Sequence, residues 1–133
     1  MEKVLHVGSC KCGTIKFEVI TESVWSGYCH CKDCRKATGA PVSAFVIFRK
    51  ADVQWKGRQP KEHKPSIKVT RTFCEVCGSP ISYEHVEWPG RIDFYTCLFD
   101  DAENLAPTEH IWYASKLPWL DIQDALPKHE GGG

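Results

Sequence analysis

Seven of the chain's eight cysteines fall into three tight clusters: Cys10 and Cys12, then Cys29, Cys31 and Cys34, then Cys74 and Cys77. Clusters of this kind constrain a fold strongly, because an ion held by several thiolates fixes the backbone on either side of each ligand. Four thiolates close the tetrahedral shell of a zinc ion, whereas three leave one position free. Two pairs and a triplet therefore divide into one sealed metal site and one open site. The N-terminal residues contain no apolar run of signal-peptide length, and no stretch approaches the ~20 apolar residues of a membrane span. The expected location is cytoplasmic. There, reducing conditions disfavour disulfides and clustered cysteines act as metal ligands or redox groups.

Cys74-Glu75-Val76-Cys77-Gly78 has the form of a zinc knuckle. Two thiolates three positions apart can bite one ion from a tight turn, and Gly78 permits a positive φ behind them. Cys10-Lys11-Cys12-Gly13 is tighter, with the same trailing glycine; strand-like alternation would point both sulfurs to one side. Paired, these clusters make a four-cysteine site whose metal closes a loop of 62 positions between Cys12 and Cys74. The middle cluster, Cys29-His30-Cys31-Lys32-Asp33-Cys34-Arg35-Lys36, can hold a metal from one face only. Lys32, Arg35 and Lys36 surround it with positive charge, which favours thiolates. Its fourth ligand would be water, a substrate thiolate or a distant side chain. A second, purely structural ion capped by a histidine or Cys97 stays open as an alternative, as does a redox triplet. Cys97 itself reads as a small buried hydrophobe in a strand.

The remaining pattern is that of a β protein. Residues 14–19 and 66–71 alternate in polarity with period two; residues 42–48 are β-branched and aromatic; 81–83, 91–98 and 110–113 are further strand candidates. A short helix can follow Cys34 and end at Gly39. The 133 residues suit one domain with a core over about 6–128 and a disordered tail over 129–133. With 17 basic and 17 acidic side chains the formal net charge is zero, a poor footprint for nucleic acid or an anionic membrane surface.

Three runs carry a family resemblance: Gly8-Ser9-Cys10-Lys11-Cys12-Gly13; Cys29 through Pro41, reading CHCKDCRKATGAP; and Phe73-Cys74-Glu75-Val76-Cys77-Gly78-Ser79-Pro80. Together with the segment His110 to Leu120 they resemble the glutathione-dependent formaldehyde-activating enzymes, also called the centromere-protein-V family, over nearly the whole chain. The resemblance implies an Mss4-like fold of twisted antiparallel sheets around a structural zinc, with few short helices. It implies two zinc ions per chain, one on Cys10, Cys12, Cys74 and Cys77 and a second, catalytic one on Cys29, Cys31 and Cys34. It implies carbon–sulfur lyase-type chemistry that joins formaldehyde to glutathione as S-hydroxymethylglutathione, with a small thiol such as glutathione as partner. The alternative is a non-catalytic glutathione-binding or zinc-stabilised interaction module. Arg71, Lys32, Arg35 and Lys36 are candidate cations for the carboxylates of glutathione. Trp112 and Trp119 are candidate cavity walls, and His30 and His110 candidate general bases.

Overall fold

In the computed structural model, which describes residues 3–132, the alternating segments become ten short strands and one helix. In chain order these are β1 (His6–Ser9), β2 (Ile15–Val19), β3 (Trp25–Cys29), α1 (Lys32–Thr38), β4 (Ser43–Arg49), β5 (Val53–Gly57), β6 (Lys61–His63), β7 (Val69–Phe73), β8 (Pro80–His85), β9 (Arg91–Tyr95) and β10 (His110–Ile111). One sheet has the order β1-β2-β5, and the other β10-β3-β4-β9-β8-β7-β6. All pairings are antiparallel except that of β10 with β3, which the long return from β9 makes parallel. The expected mainly-β class holds, with one parallel edge pair in otherwise antiparallel sheets.

Period two decides where the core and the site lie. Ile15, Phe17 and Val19 of β2 meet Val46 and Phe48 of β4 and Ile92 and Phe94 of β9 in one fully buried cluster between the sheets. Phe17 and Phe94 stack at 4.3 Å with their planes 10° apart. The intervening residues on the large sheet, Phe45 and Ile47 of β4 with Asp93 and Tyr95 of β9, turn to the other face. Registry aligns them across the strands: Arg71, Tyr83, Asp93, Ile47 and Trp25 form one continuous row through β7, β8, β9, β4 and β3.

Three local expectations need correction. The strand expected over 66–71 lies at Val69–Phe73. The strand expected over 91–98 stops at Tyr95, and a 3₁₀ turn over Thr96–Leu98 leaves Cys97 exposed rather than buried. The strand expected over 110–113 stops at Ile111, because Trp112 adopts φ 54°. There the Trp112 N–H donates to the Gly131 carbonyl at 2.7 Å and the Tyr113 N–H to that of His129 at 2.9 Å.

Candidate functional site

The four outer cysteines converge from two turns. Cys10 and Cys12 lie in the connection from β1 to β2, and Cys74 and Cys77 in the connection from β7 to β8. Their four sulfurs all lie within 4.8 Å of one another, with Cys10–Cys12 at 3.6 Å and Cys12–Cys74 at 3.9 Å. A tetrahedral zinc with Zn–S bonds of ~2.3 Å spaces its sulfurs by ~3.8 Å, so the set fits that ion. Cys10 and Cys12 are brought to one side by a turn rather than by strand alternation: the Gly13 N–H closes it on the Cys10 carbonyl at 3.1 Å, with Gly13 at φ 80°. The knuckle repeats this design, Gly78 closing on Cys74 at 2.7 Å with φ 81°. Two hydroxyls sit on the exposed sulfurs, Thr14 on Cys12 at 2.9 Å and Ser79 on Cys77 at 3.2 Å. Hydrogen bonding to Ser79 holds the Cys77 thiol down at about 5, and Thr14 lowers that of Cys12.

The triplet is built by a strand running into a helix. Cys29 ends β3, Cys31 caps α1 and Cys34 sits in its first turn, where the Cys34 N–H donates to the Cys31 sulfur at 3.2 Å. The Cys29 and Cys34 sulfurs are 3.7 Å apart, and all three lie within 4.8 Å of one another. The neighbouring Cys29 and Cys34 thiols push the Cys31 pKa far down, while Cys29 is pushed far up. Among the described residues no fourth cysteine, histidine or carboxylate joins this group. His30 points away from it: its Nε2 meets His110 Nδ1 at 2.8 Å, and His110 Nε2 meets the Asp124 carboxylate at 2.9 Å. Both rings are buried, and burial first, then the charge of His110, pulls the His30 pKa down to about 4. Neither histidine reaches the open side of the triplet, so neither serves there as a base.

That open side faces a cavity of about 540 Å³. Its floor is the cross-strand row described above with Phe45, and Cys29, Cys31 and Cys34 close one end. The four-sulfur cluster contributes nothing to its lining. Arg71 is the cation at the triplet: its guanidinium donates to the Tyr95 hydroxyl at 2.9 Å, to Asp33 at 2.8 Å and to the Cys34 sulfur at 3.7 Å, and it lies 4.9 Å over the Tyr83 ring. Of the other expected cations, Lys32 and Lys36 are exposed, and neither they nor Arg35 line the cavity. Trp112 stands at its rim, whereas Trp119 is exposed elsewhere. Sequence reasoning missed Arg91 and Asp93, which lie two apart on β9 and both face the cavity.

The model of the glutathione-dependent formaldehyde-activating enzymes matches residues 5–115. The chain belongs to that family. A Halomonas elongata protein whose assigned name carries the same family description is 24% identical over 131 residues, an alignment covering 90% of this chain and 82% of that one. The crystal structure of a Rhodobacter sphaeroides protein shares the fold with a TM-score of 0.59 at 19% identity, over 71% of this chain and 88% of the other. No helix of this family member is long and apolar enough to cross a membrane among the described residues.

Proposed function

We propose that this member of the family is a zinc-dependent enzyme of carbon–sulfur chemistry that joins glutathione to formaldehyde, or releases them from S-hydroxymethylglutathione. The observation that carries this reading is the unequal placement of the two sulfur sets: the triplet opens into the 540 Å³ cavity and the quartet does not. In this reading Cys10, Cys12, Cys74 and Cys77 hold a structural zinc, and Cys29, Cys31 and Cys34 hold the second ion. Zinc on three thiolates supplies a free position for a substrate thiol and lowers that thiol's pKa.

The chain's own residues do the rest. The addition forms one carbon–sulfur bond from a sulfur lone pair; the carbonyl π pair moves to oxygen, which gains a proton as the thiol loses one. Trp25, Phe45 and Ile47 wall the reactants off from water and hold them together, which replaces a bimolecular encounter with a positioned one. Burial pushes Tyr83 and Tyr95 up to about 12, so both hydroxyls stay neutral donors near the triplet. Arg71 offsets the negative charge that three thiolates accumulate. Replacing Arg71 by methionine is expected to weaken zinc at the triplet about 10- to 100-fold, read by chelator competition, while the quartet's zinc stays bound. Equal retention of both ions in the variant would rule out that role.

One observation favours a second reading, a non-catalytic thiol-binding module: the two candidate bases, His30 and His110, are buried against each other and do not line the cavity. Cys31→Ser separates the readings. The initial rate of adduct formation from glutathione and formaldehyde, followed by NMR above the uncatalysed background, is expected to fall to that background in the variant. Its thermal melt is expected to stay close to that of the wild type. A wild type that binds glutathione yet never exceeds the background would establish the binding module instead.

A further inference from the structure

The cavity wall carries five charged side chains: Asp33, Arg71, Arg91, Asp93 and Glu109. Three are already paired. Asp33 and Arg71 bind each other at 2.8 Å. Glu109 accepts the Trp25 indole N–H at 2.6 Å and lies 3.5 Å from His129. Arg91 and Asp93 differ: neither makes a side-chain hydrogen bond or ion pair with any described residue. The Arg91 Nε is fully buried without an acceptor, its guanidinium 5.6 Å over the Trp88 ring. Asp93 feels burial first, then the charges of Arg91 and Glu84, with no direct hydrogen bond or ion pair to either. Both residues are half-buried, and a half-buried carboxylate and guanidinium that face a cavity without direct partners are placed to receive a ligand that supplies the complementary charges.

The two residues are separated by Ile92, whose side chain is in the core, so both project into the cavity from one strand. We propose that Arg91 and Asp93 form a receptor for an α-amino-acid end group, Arg91 taking the α-carboxylate and Asp93 the α-ammonium. The cavity thereby selects the γ-glutamyl end of glutathione over thiols that lack it. This rests on the reading above, in which the thiol docks at the triplet.

The spacing agrees. Cys29 and Cys34 pack with Phe45 and Tyr95, one pleat before the row of Asp93. Two residues along a strand cover ~7 Å and four cover ~14 Å. Asp93 and then Arg91 therefore lie ~7 and ~14 Å along the strand from the Phe45–Tyr95 row on which the sulfurs pack. In glutathione the thiol sits on the central residue, and the γ-linked glutamyl arm runs through seven bonds from sulfur to its α-carbon, roughly 8 Å when extended. Burial raises the Asp93 carboxyl to about 7; Arg91 opposes the rise and Glu84 adds to it. Tyr83 of β8 and, beyond it, Arg71 of β7 are the other ionisable groups on the row, and β4 presents only Ile47. A docked ammonium supplies the direct ion-pair partner this carboxylate lacks.

Calorimetric titration of zinc-loaded protein with glutathione, N-acetylglutathione and S-methylglutathione tests the proposal. Acetylation removes the ammonium and methylation blocks the thiol. Wild type is expected to bind N-acetylglutathione about tenfold or more weaker than glutathione. Asp93→Asn, which keeps the side chain's shape, is expected to bind the two alike, and Arg91→Met to weaken both. S-methylation is expected to weaken binding in every variant. If wild type binds glutathione, loses affinity on S-methylation and ignores N-acetylation, the receptor is overturned while thiol docking stands. If wild type fails to bind glutathione at millimolar concentration, both fall. The acetylation comparison is made on wild type, so it decides the matter even where a variant does not fold.

Discussion

Cys74→Ser is expected to leave a chain that does not fold, whereas Cys31→Ser folds. Cys74 is fully buried, and its sulfur accepts the Cys77 N–H at 3.5 Å inside the knuckle. Across a sequence separation of 62 it faces Cys12 at 3.9 Å. The two turns it joins belong to different sheets, β1-β2-β5 on one side and the seven-stranded sheet on the other. A metal held there would fasten the two sheets to each other at that end. Binding of a structural zinc contributes on the order of 10 kcal/mol to folding. A domain of this size has a net stability of about 5–15 kcal/mol, so losing most of that term removes the folded state. Far-UV circular dichroism with zinc analysis should show an unfolded, zinc-poor Cys74→Ser and a folded Cys31→Ser carrying about one zinc. Chelation of the wild type should reproduce the first result. A Cys74→Ser protein that melts within a few degrees of wild type would remove the structural role from the quartet.

The sulfur partition was legible because ligand spacing is local. The Cys-x-x-Cys spacing followed by glycine encodes a turn whose geometry hardly depends on the rest of the fold, and Gly78 does take positive φ; Cys10 and Cys12, expected to converge by strand alternation, converge by a turn at Gly13 instead. Strands with a β-branched or alternating pattern, such as β2, β4 and β9, were legible for the same reason. β1, β3, β5 and β6 were not. Trp25-Ser26-Gly27-Tyr28-Cys29 carries no alternation of polarity, yet β4 and β10 flank it on both sides and it is mostly buried. Gly27 is required there by packing: a Cβ would collide with the Trp25 ring, which walls the cavity, and would lie 2.8 Å from the Glu109 carbonyl. Such a role depends on a neighbour's side chain and leaves no periodic trace. Arg91 and Asp93 escaped notice similarly. In the sequence they read as polar positions of a strand candidate; only the registry that sets Asp93 beside Tyr83 and Ile47 turns them into cavity groups. His30 and His110 drew attention as possible bases because histidine is versatile. Their mutual hydrogen bond, across 80 positions, is a tertiary fact.

Phe94→Ala is expected to cost about 3–5 kcal/mol, the range for truncating a buried phenylalanine. Phe94 is fully buried, stacked on Phe17 at 4.3 Å, edge-on to Phe99 at 5.6 Å and 5.8 Å from Trp55. Its neighbours belong to both sheets and to the segment after β9, so no single side chain can move in to fill the space. Urea denaturation should show a lower midpoint with an unchanged slope, the mark of lost stability without a new unfolded state. A change below about 1 kcal/mol would mean that the sheets re-pack freely at this point. The effect reaches the cavity because β9 has two faces. Phe94 anchors the strand in the core, and its neighbours Asp93 and Tyr95 project to the opposite side, Tyr95 holding the guanidinium that touches Cys34. Loosening the anchor therefore misplaces both groups at once. In Phe94→Ala measured well below its melting point, glutathione affinity is expected to fall while zinc content stays that of the wild type. Undiminished affinity would show that the floor of the cavity holds its shape without the core beneath it.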